Sequence, residues 1–349
     1  MSKDNSFRGT KVYVGIDVHL KTWRIAPFTE QTALKKFTVS PPSVESLVKT
    51  LEDRYPGATF SMCYEAGYSG FWIQRELTQR GYATIVVNAA DIPTSDKDHR
   101  RKTDSRDASK IARELRSSNL VPIYIPSQEA EKDRSVVRYR HQLVKDERRV
   151  KQRIKMYLHN QGFELGSTLK WSKKGLIELE ELAKSVGDRY LSLSIKQLRS
   201  LLQRKEEVTT TIKHMSHSEA YEKLSCLLQS IPGISTLGSM ILITEIVDMA
   251  RFSNLDHLCS YIGLVPDTSS SGERERSRGI TSRSNRRLRT FLIECSWIAL
   301  RQDPALSKAY STYTSRMIGN KAIIKIARKL LSRIRHVWLK REAYEFNVY

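Results

Sequence analysis

The chain has 349 residues, 40% of them hydrophobic, enough to bury a sizeable core and to form two or three domains. Its 59 Lys and Arg against 38 Asp and Glu give a net charge of +21, which favours a partner rich in phosphate over an acidic membrane surface, since no basic amphipathic helix is joined to a lipid-anchor motif. The four cysteines, Cys63, Cys226, Cys259 and Cys295, lie far apart with no C-x-x-C spacing, so neither a structural zinc site nor a disulfide framework is expected.

The N-terminal M-S-K-D-N-S has no apolar signal segment, and the apolar stretch Ile234 to Val247 is broken by polar residues and Glu245. A soluble, cytoplasmic protein is the expectation. Residues 11 to 38 predict a three-stranded meander: K-V-Y-V-G-I-D, then T-W-R-I-A-P-F-T, then A-L-K-K-F-T-V. Ser43 is placed to cap a helix with Val44, Leu47, Val48 and Leu51 on one face. T-F-S-M-C-Y-E then predicts a strand, F-W-I-Q-R-E-L a helix, A-T-I-V-V a strand and T-D-S-R-D-A-S-K-I-A-R-E-L a helix. The order βββαβαβα implies a mixed sheet flanked by helices.

From about Ser127 the sequence turns long, charged and helical. Val136, Leu143, Val150 and Tyr157 recur every seven residues, a pattern that suits a helical hairpin, a coiled coil between chains or an ordinary amphipathic helix. The last part, from about 226, opens with a helix, a Pro-Gly turn and a second helix, an arrangement that is able to present backbone N–H groups to phosphate or simply to join two helices. The expected division is therefore 1–126 for the mixed-sheet domain, 127–225 for the helical middle and 226–349 for a mainly helical C-terminal domain.

Four acids stand out. Asp17 ends the first strand and Glu65 the fourth, while Asp104 and Asp107 fall on one face of the helix after the fifth. If the two strands are neighbours and the helix crosses their ends, the four converge into a set of hard oxygen donors suited to two Mg²⁺ or Mn²⁺ ions, the usual device for phosphoryl transfer without a dedicated base. The plainer reading is that Asp104 and Asp107 serve the start of their helix. Asp17 argues against it, because a carboxylate in an apolar strand is costly without a partner or an ion.

Residues 263–280 read G-L-V-P-D-T-S-S-S-G-E-R-E-R-S-R-G-I, which composition alone assigns to a solvated linker. Downstream, Arg274, Arg276, Arg278, Arg283, Arg286, Arg287 and Arg289 stand against Glu273 and Glu275, a candidate phosphate-binding run or the solvated cover of the apolar helix that follows. His214 and His217 are expected on a helix surface, and Trp72 and Trp297 in the core.

In order, G-I-D-V at 15–18, Y-E-A-G-Y at 64–68, R-K-T-D-S-R-D-A at 101–108, I-P-G-I at 231–234, then G-L-V-P, S-S-G and R-S-N-R-R-L-R at 283–289, resemble the DEDD transposases of the insertion-sequence family numbered one-ten. The resemblance spans nearly the whole chain. It implies a RuvC-like RNase H fold for the first domain, with Asp17, Glu65, Asp104 and Asp107 as metal ligands. It implies a serine nucleophile in the C-terminal domain, Ser271 by alignment on the following glycine, with Ser270 next, and a covalent phosphoserine link to DNA. It also implies a noncoding guide RNA that pairs with donor and target DNA. Because acids and serine lie on separate domains, sites from two protomers are expected to combine in a homo-oligomer, a dimer or a tetramer. Three departures accompany the match: E-A-G where the family has E-A-T-G, Ser284-Asn285 where it has Gly-Asn, and His19-Leu20-Lys21 in place of Ser-Lys. Two other readings remain at this level: a RuvC-like nuclease in which metal-activated water attacks, and a non-enzymatic nucleic-acid-binding protein.

Overall fold

The computed structural model describes residues 7–93, 104–163, 171–271, 274–281 and 284–346, with the main chain alone for 104–106, 267–271 and 274–278. The chain divides into two compact units, Met1–Ile125 and Pro126–Tyr349.

In the first unit, β1 (Lys11–Val18), β2 (Trp23–Phe28), β3 (Phe37–Val39), β4 (Thr59–Glu65) and β5 (Ala83–Val87) form one sheet in the order β3-β2-β1-β4-β5. β2 is antiparallel to β1 and β3, whereas β1, β4 and β5 run parallel. Short links allow the antiparallel pairs, while the parallel ones need crossovers, which pass through α1 (Val44–Arg54) and α2 (Trp72–Gln79). Ser43 caps α1 as expected, accepting from the Ser46 N–H at 3.1 Å. The third predicted strand is regular only at Phe37–Val39. It lies at the sheet edge, and the exposed Lys35 and Lys36 keep the rest out of the ladder.

Alternation along β1 sorts its side chains onto two faces. Val12, Val14 and Ile16 join Leu47 and Leu51 of α1 and Ile73 and Leu77 of α2 in one core. Tyr13 and Gly15 turn the other way, toward α3 (Asp104–Arg116), where Ala108, Ile111, Ala112 and Leu115 are buried. Trp72, expected in the core, is 47% exposed. As the first residue of α2 it covers Trp23 from outside, with ring centroids 5.9 Å apart.

The second unit opens with α4 (Gln128–Asn160), α5 (Lys173–Ser185) and α6 (Arg189–Ser216). Val150, Ile154 and Leu158 of α4 pack on Leu176 and Leu179 of α5 and on Leu191, Ile195 and Leu198 of α6. Of the seven-residue stripe, Leu143 and Val150 are fully buried and Val136 and Tyr157 are marginal. A straight helix drifts away from a strict seven-residue repeat, so burial passes to Ile154 and Leu158.

α7 (Glu222–Gln229) and α8 (Thr236–Ile246) form the helix-turn-helix around Pro232-Gly233. α8 buries residues on all sides and is accordingly central, joining α9 (Leu255–Ile262), α10 (Arg286–Gln302), α11 (Pro304–Thr314) and α12 (Gly319–Lys340) in one core. Gly233, at φ +85°, is needed for packing: a Cβ there would stand 2.6 Å from the Cys295 carbonyl oxygen of α10. Its N–H donates to Gln302 Oε1 at 3.2 Å, so this amide serves the fold. Trp297, also expected in the core, is 41% exposed, edge-on to Tyr310.

The serine stretch is a strand rather than a loop. β6 (Pro266–Ser271) pairs antiparallel with β7 (Arg274–Ile280), opposing Ser269 to Arg276, Ser270 to Glu275 and Ser271 to Arg274. Among the described residues, no helix is long and apolar enough to cross a membrane.

Candidate acid cluster and serine hairpin

The first unit places its acids by strand register. Ile16 of β1 sits beside Tyr64 of the parallel β4, so Asp17 and Glu65 follow one residue further at the same end of adjacent strands. Both lie on the face that carries Gly15 and Cys63, opposite the buried Ile16 and Tyr64. This is also the α3 face. Arg116, near the end of α3, stacks on Phe28 and donates to the Glu30 carbonyl, at the far end of the sheet, while Ala108 reaches Gly15. α3 thus runs antiparallel to β1, and its first turn, with Asp104 and Asp107, points toward the Asp17 end.

Gly15 sets how closely the helix approaches. A Cβ on this residue would lie 2.0 Å from the Ala108 carbonyl oxygen and 2.6 Å from the Ala112 nitrogen, so the glycine of G-I-D-V lets helix backbone rest on strand backbone. Asp17 is partly buried and Oδ2 lies 3.0 Å from His19 Nε2; Glu65 is exposed and Asp107 half-buried. Tyr68 donates to the Val18 carbonyl at 2.9 Å, and partial loss of hydration followed by the charge of Asp17 raises its phenol above the ordinary value. Sequence reasoning assigned no role to His19 or Tyr68. The only signal for them was the departure H-L-K and the second tyrosine of Y-E-A-G-Y.

Carboxylate oxygens on one sheet end are hard donors, the chemistry that suits Mg²⁺ or Mn²⁺. Among the described residues no group of three or more metal-capable side chains is gathered, and the Asp104 side chain lies outside them.

In the second unit the serine hairpin is held at its foot. Arg289 Nη1 donates to Thr281 O at 2.7 Å and to Gly263 O at 3.3 Å, joining the residues that precede β6 and follow β7. Of the seven arginines, Arg289 is therefore engaged with main chain, Arg287 is half-buried and Arg286 exposed. The side chains of Arg274, Arg276 and Arg278, like those of Ser270 and Ser271, lie outside the described residues, as does the whole of Arg283. His214 and His217 are exposed, as expected. Gly263, at φ +84°, would place a Cβ 2.1 Å from Ser284 Cβ, so it makes room for the serine that replaces the family's glycine. Ser284 Oγ is buried with no hydrogen-bond partner among the described residues.

A buried charge lies beside Asn285, the residue that opens α10. Glu245 of α8 is 2% exposed and takes two hydrogen bonds of 2.7 Å from the Arg138 guanidinium of α4 and one of 3.0 Å from Asn285 Nδ2. Asn285 in turn caps α10 by accepting from the Leu288 N–H, and its own N–H donates to Tyr261 O. Burial pushes the Glu245 carboxyl up, but the bonds and charge of Arg138, with Asn285 and Arg134, outweigh it and hold the group below its ordinary value. Sequence reasoning saw Glu245 only as a break in an apolar run. A lone acid in an apolar helix was the available signal for a buried pair.

The mixed-sheet unit carries acids at the ends of its central strands, and the helical unit carries a polar hairpin. A model of the IS110 DEDD transposases matches residues 14–161, and a model described as "Transposase IS116/IS110/IS902 family" matches residues 225–311. The chain belongs to this family of transposases. It is 29% identical over 269 residues to the putative transposase y4qE of Sinorhizobium fredii, covering 77% of this chain and 65% of that one. It is 29% identical over 296 residues to y4rJ of the same organism, covering 76% and 74%. With the transposase for insertion sequence element IS1533 of Leptospira borgpetersenii it shares 28% identity over 257 residues, covering 70% and 72%. The chain thus spans just under two thirds of y4qE.

Proposed function

We propose that this protein cuts and rejoins the DNA of a mobile insertion sequence, with a serine of the β6–β7 hairpin as nucleophile and the acids of the first unit as holders of divalent metal. The observation that carries the reading is the register that puts Asp17 and Glu65 at the same end of neighbouring parallel strands, on the face and at the end where α3 begins with Asp104 and Asp107. The strand order β3-β2-β1-β4-β5, with only β2 reversed among the inner strands and helices on both faces, supports a RuvC-like RNase H fold for this unit. In this reading residues 1–126 form the RuvC-like domain, 127–225 a helical middle and 226–349 the transposase domain.

The chemistry follows from the residue types. Asp17, Glu65, Asp104 and Asp107 hold Mg²⁺ or Mn²⁺, which when bound supplies charge neutralisation at the scissile phosphate. A serine hydroxyl is a weak nucleophile near neutral pH and needs such help. Ser271, or Ser270 beside it, forms a bond from Oγ to phosphorus as the bond from phosphorus to one DNA oxygen breaks. The hydroxyl proton passes to a base, and the departing oxygen keeps the bonding pair and takes up a proton. The phosphoserine ester conserves the energy of the broken bond until a new DNA hydroxyl displaces the serine. Arg274, Arg276, Arg278, Arg283, Arg286 and Arg287 bind DNA backbone, with the net charge of +21 in support. The family resemblance adds a noncoding guide RNA as partner, and the separation of acids and serine in the chain adds a homo-oligomer, a dimer or a tetramer.

Asp17→Asn and Glu65→Gln test the acid set. Each keeps size and polarity while removing a charged metal ligand, so each is expected to bind element-end DNA as the parent does and to lose cleavage by at least about a hundredfold, the equivalent of about 2.7 kcal/mol of transition-state stabilisation. Undiminished cleavage with either variant, across Mg²⁺ and Mn²⁺, contradicts the assignment. Free DNA ends from a variant lacking both serines would instead favour attack by water.

A further inference from the structure

α12 carries seven Lys and Arg and neither Asp nor Glu in its 22 residues. Three of the seven dock the helix. Arg328 donates to Asp256 Oδ1 at 2.7 Å and to Leu264 O at 3.2 Å, Arg333 pairs with Asp303, and Arg335 reaches the carbonyls of Phe252 and Ser253. Lys321, Lys325 and Lys329 are different. They are exposed, four residues apart and hence on one stripe with about 6 Å of rise between neighbours, and none forms a salt bridge among the described residues.

The stripe borders a groove of about 820 Å³ whose opposite wall is the foot of the serine hairpin. Its surface is mainly apolar, from Val265, Pro266, Ile280, Tyr313 and Ile324. Lys325 Nζ stands 5.0 Å from the centre of the Tyr313 ring, one edge of that surface. Pro266 is the first residue of β6, and Ser270 follows four residues later, about 13 Å along the strand.

We infer that this groove is a docking site for a single DNA strand, the segment that flanks the phosphate attacked from the hairpin. Cations along one rim and an apolar, aromatic surface below them are the two elements of a single-strand site: the cations follow phosphates while unpaired bases cover apolar surface and stack. A duplex hides its base faces and gains nothing from the floor, and the volume is that of a small-molecule site, room for a few nucleotides. The inference rests on the reading of the hairpin as the part that acts on DNA, and it adds where the strand is held.

The test uses the full chain and fluorescent 20-nucleotide DNA, RNA of the same sequence and the corresponding DNA duplex. Lys321→Gln/Lys325→Gln/Lys329→Gln replaces three exposed side chains, and Ile280→Glu sets a negative charge on a residue that is already 37% exposed, so both are expected to melt with the parent. For single-stranded DNA the triple variant is expected to lose about tenfold or more in affinity, and its slope of log K against log salt to fall by about 2, the value for three phosphate contacts on a single strand. Ile280→Glu is expected to weaken the same strand while duplex binding stays within twofold for both variants. Affinity and salt slope for single-stranded DNA within twofold of the parent overturn the inference, as does a loss confined to RNA or to duplex. Binding and chemistry separate cleanly. Strand exchange that survives Ser270→Ala/Ser271→Ala while the lysine variant loses single-strand binding removes the serine and leaves the groove; a serine adduct on DNA with single-strand affinity unchanged does the reverse.

Discussion

A methyl group on Gly15 has nowhere to go, because the two nearest atoms it would meet belong to the backbone of α3 and the third is the Ala112 Cβ. Gly15→Ala is therefore expected to lift the start of α3 from the sheet, at a cost of about 1–3 kcal/mol or more in urea unfolding, and to reduce the proposed activity by moving the helix that carries Asp104 and Asp107. Parent-like stability would contradict the close approach. Glu245 supports a second prediction. Removing one partner of a fully buried ion pair costs about 3–5 kcal/mol, but Arg138 is 37% exposed, so Glu245→Ala and Arg138→Ala are each expected to cost about 2–3 kcal/mol and the double variant less than their sum. The carboxyl is held low in the folded chain, so its contribution is complete above the ordinary carboxylate range, about 4.3, and disappears as pH falls through the lower folded-state value. Below about pH 5 the parent is expected to lose stability more steeply than Glu245→Gln; equal acid limbs would show that the pair contributes nothing. Of these residues Asp17 and Glu65 were legible, since a carboxylate ending an apolar strand is an anomaly in the pattern. His19, Tyr68 and the Arg138–Glu245–Asn285 group were not, because what they do depends on contacts between elements.

At the scale of elements, strands with apolar alternation were readable and the serine hairpin was not. β1, β4 and β5 announce themselves by β-branched residues and a buried face, whereas P-D-T-S-S-S and R-E-R-S-R-G-I have no apolar face to signal a strand. Their pairing is carried by main-chain bonds. The register that makes Asp17 and Glu65 neighbours is likewise invisible in local sequence, because it is set by the order in which strands assemble. The charge run after the hairpin shows the reverse case, where similar residues in sequence have different duties. Arg289→Ala is expected to lower stability by about 1–3 kcal/mol through lost hydrogen bonds to two carbonyls, with salt dependence of DNA binding unchanged. Arg286→Ala is expected to leave stability within about 0.5 kcal/mol and to reduce the salt slope for duplex DNA by about 0.9, one phosphate contact. Thermal melts and binding isotherms at several salt concentrations decide both, and an exchange of the two patterns would reverse the assignment.

At the scale of the whole molecule, the two units divide the proposed chemistry: acids in the first, serine and arginine-rich strand in the second. The order of the motifs made this proposed division of chemistry legible, because order survives without knowledge of packing. The sequence of the proposed DNA partner was not legible, since contacts to phosphate backbone carry no base-specific mark. The central claim is that a hairpin serine becomes joined to DNA. It is tested most directly by stopping a reaction on element-end DNA with denaturant, digesting the protein and DNA, and locating any retained nucleotide by mass spectrometry. The expected result is a phosphodiester remnant on Ser271 or Ser270 that disappears in Asp17→Asn. Full strand exchange by Ser270→Ala/Ser271→Ala, with no protein attached to DNA at any time point, would contradict it.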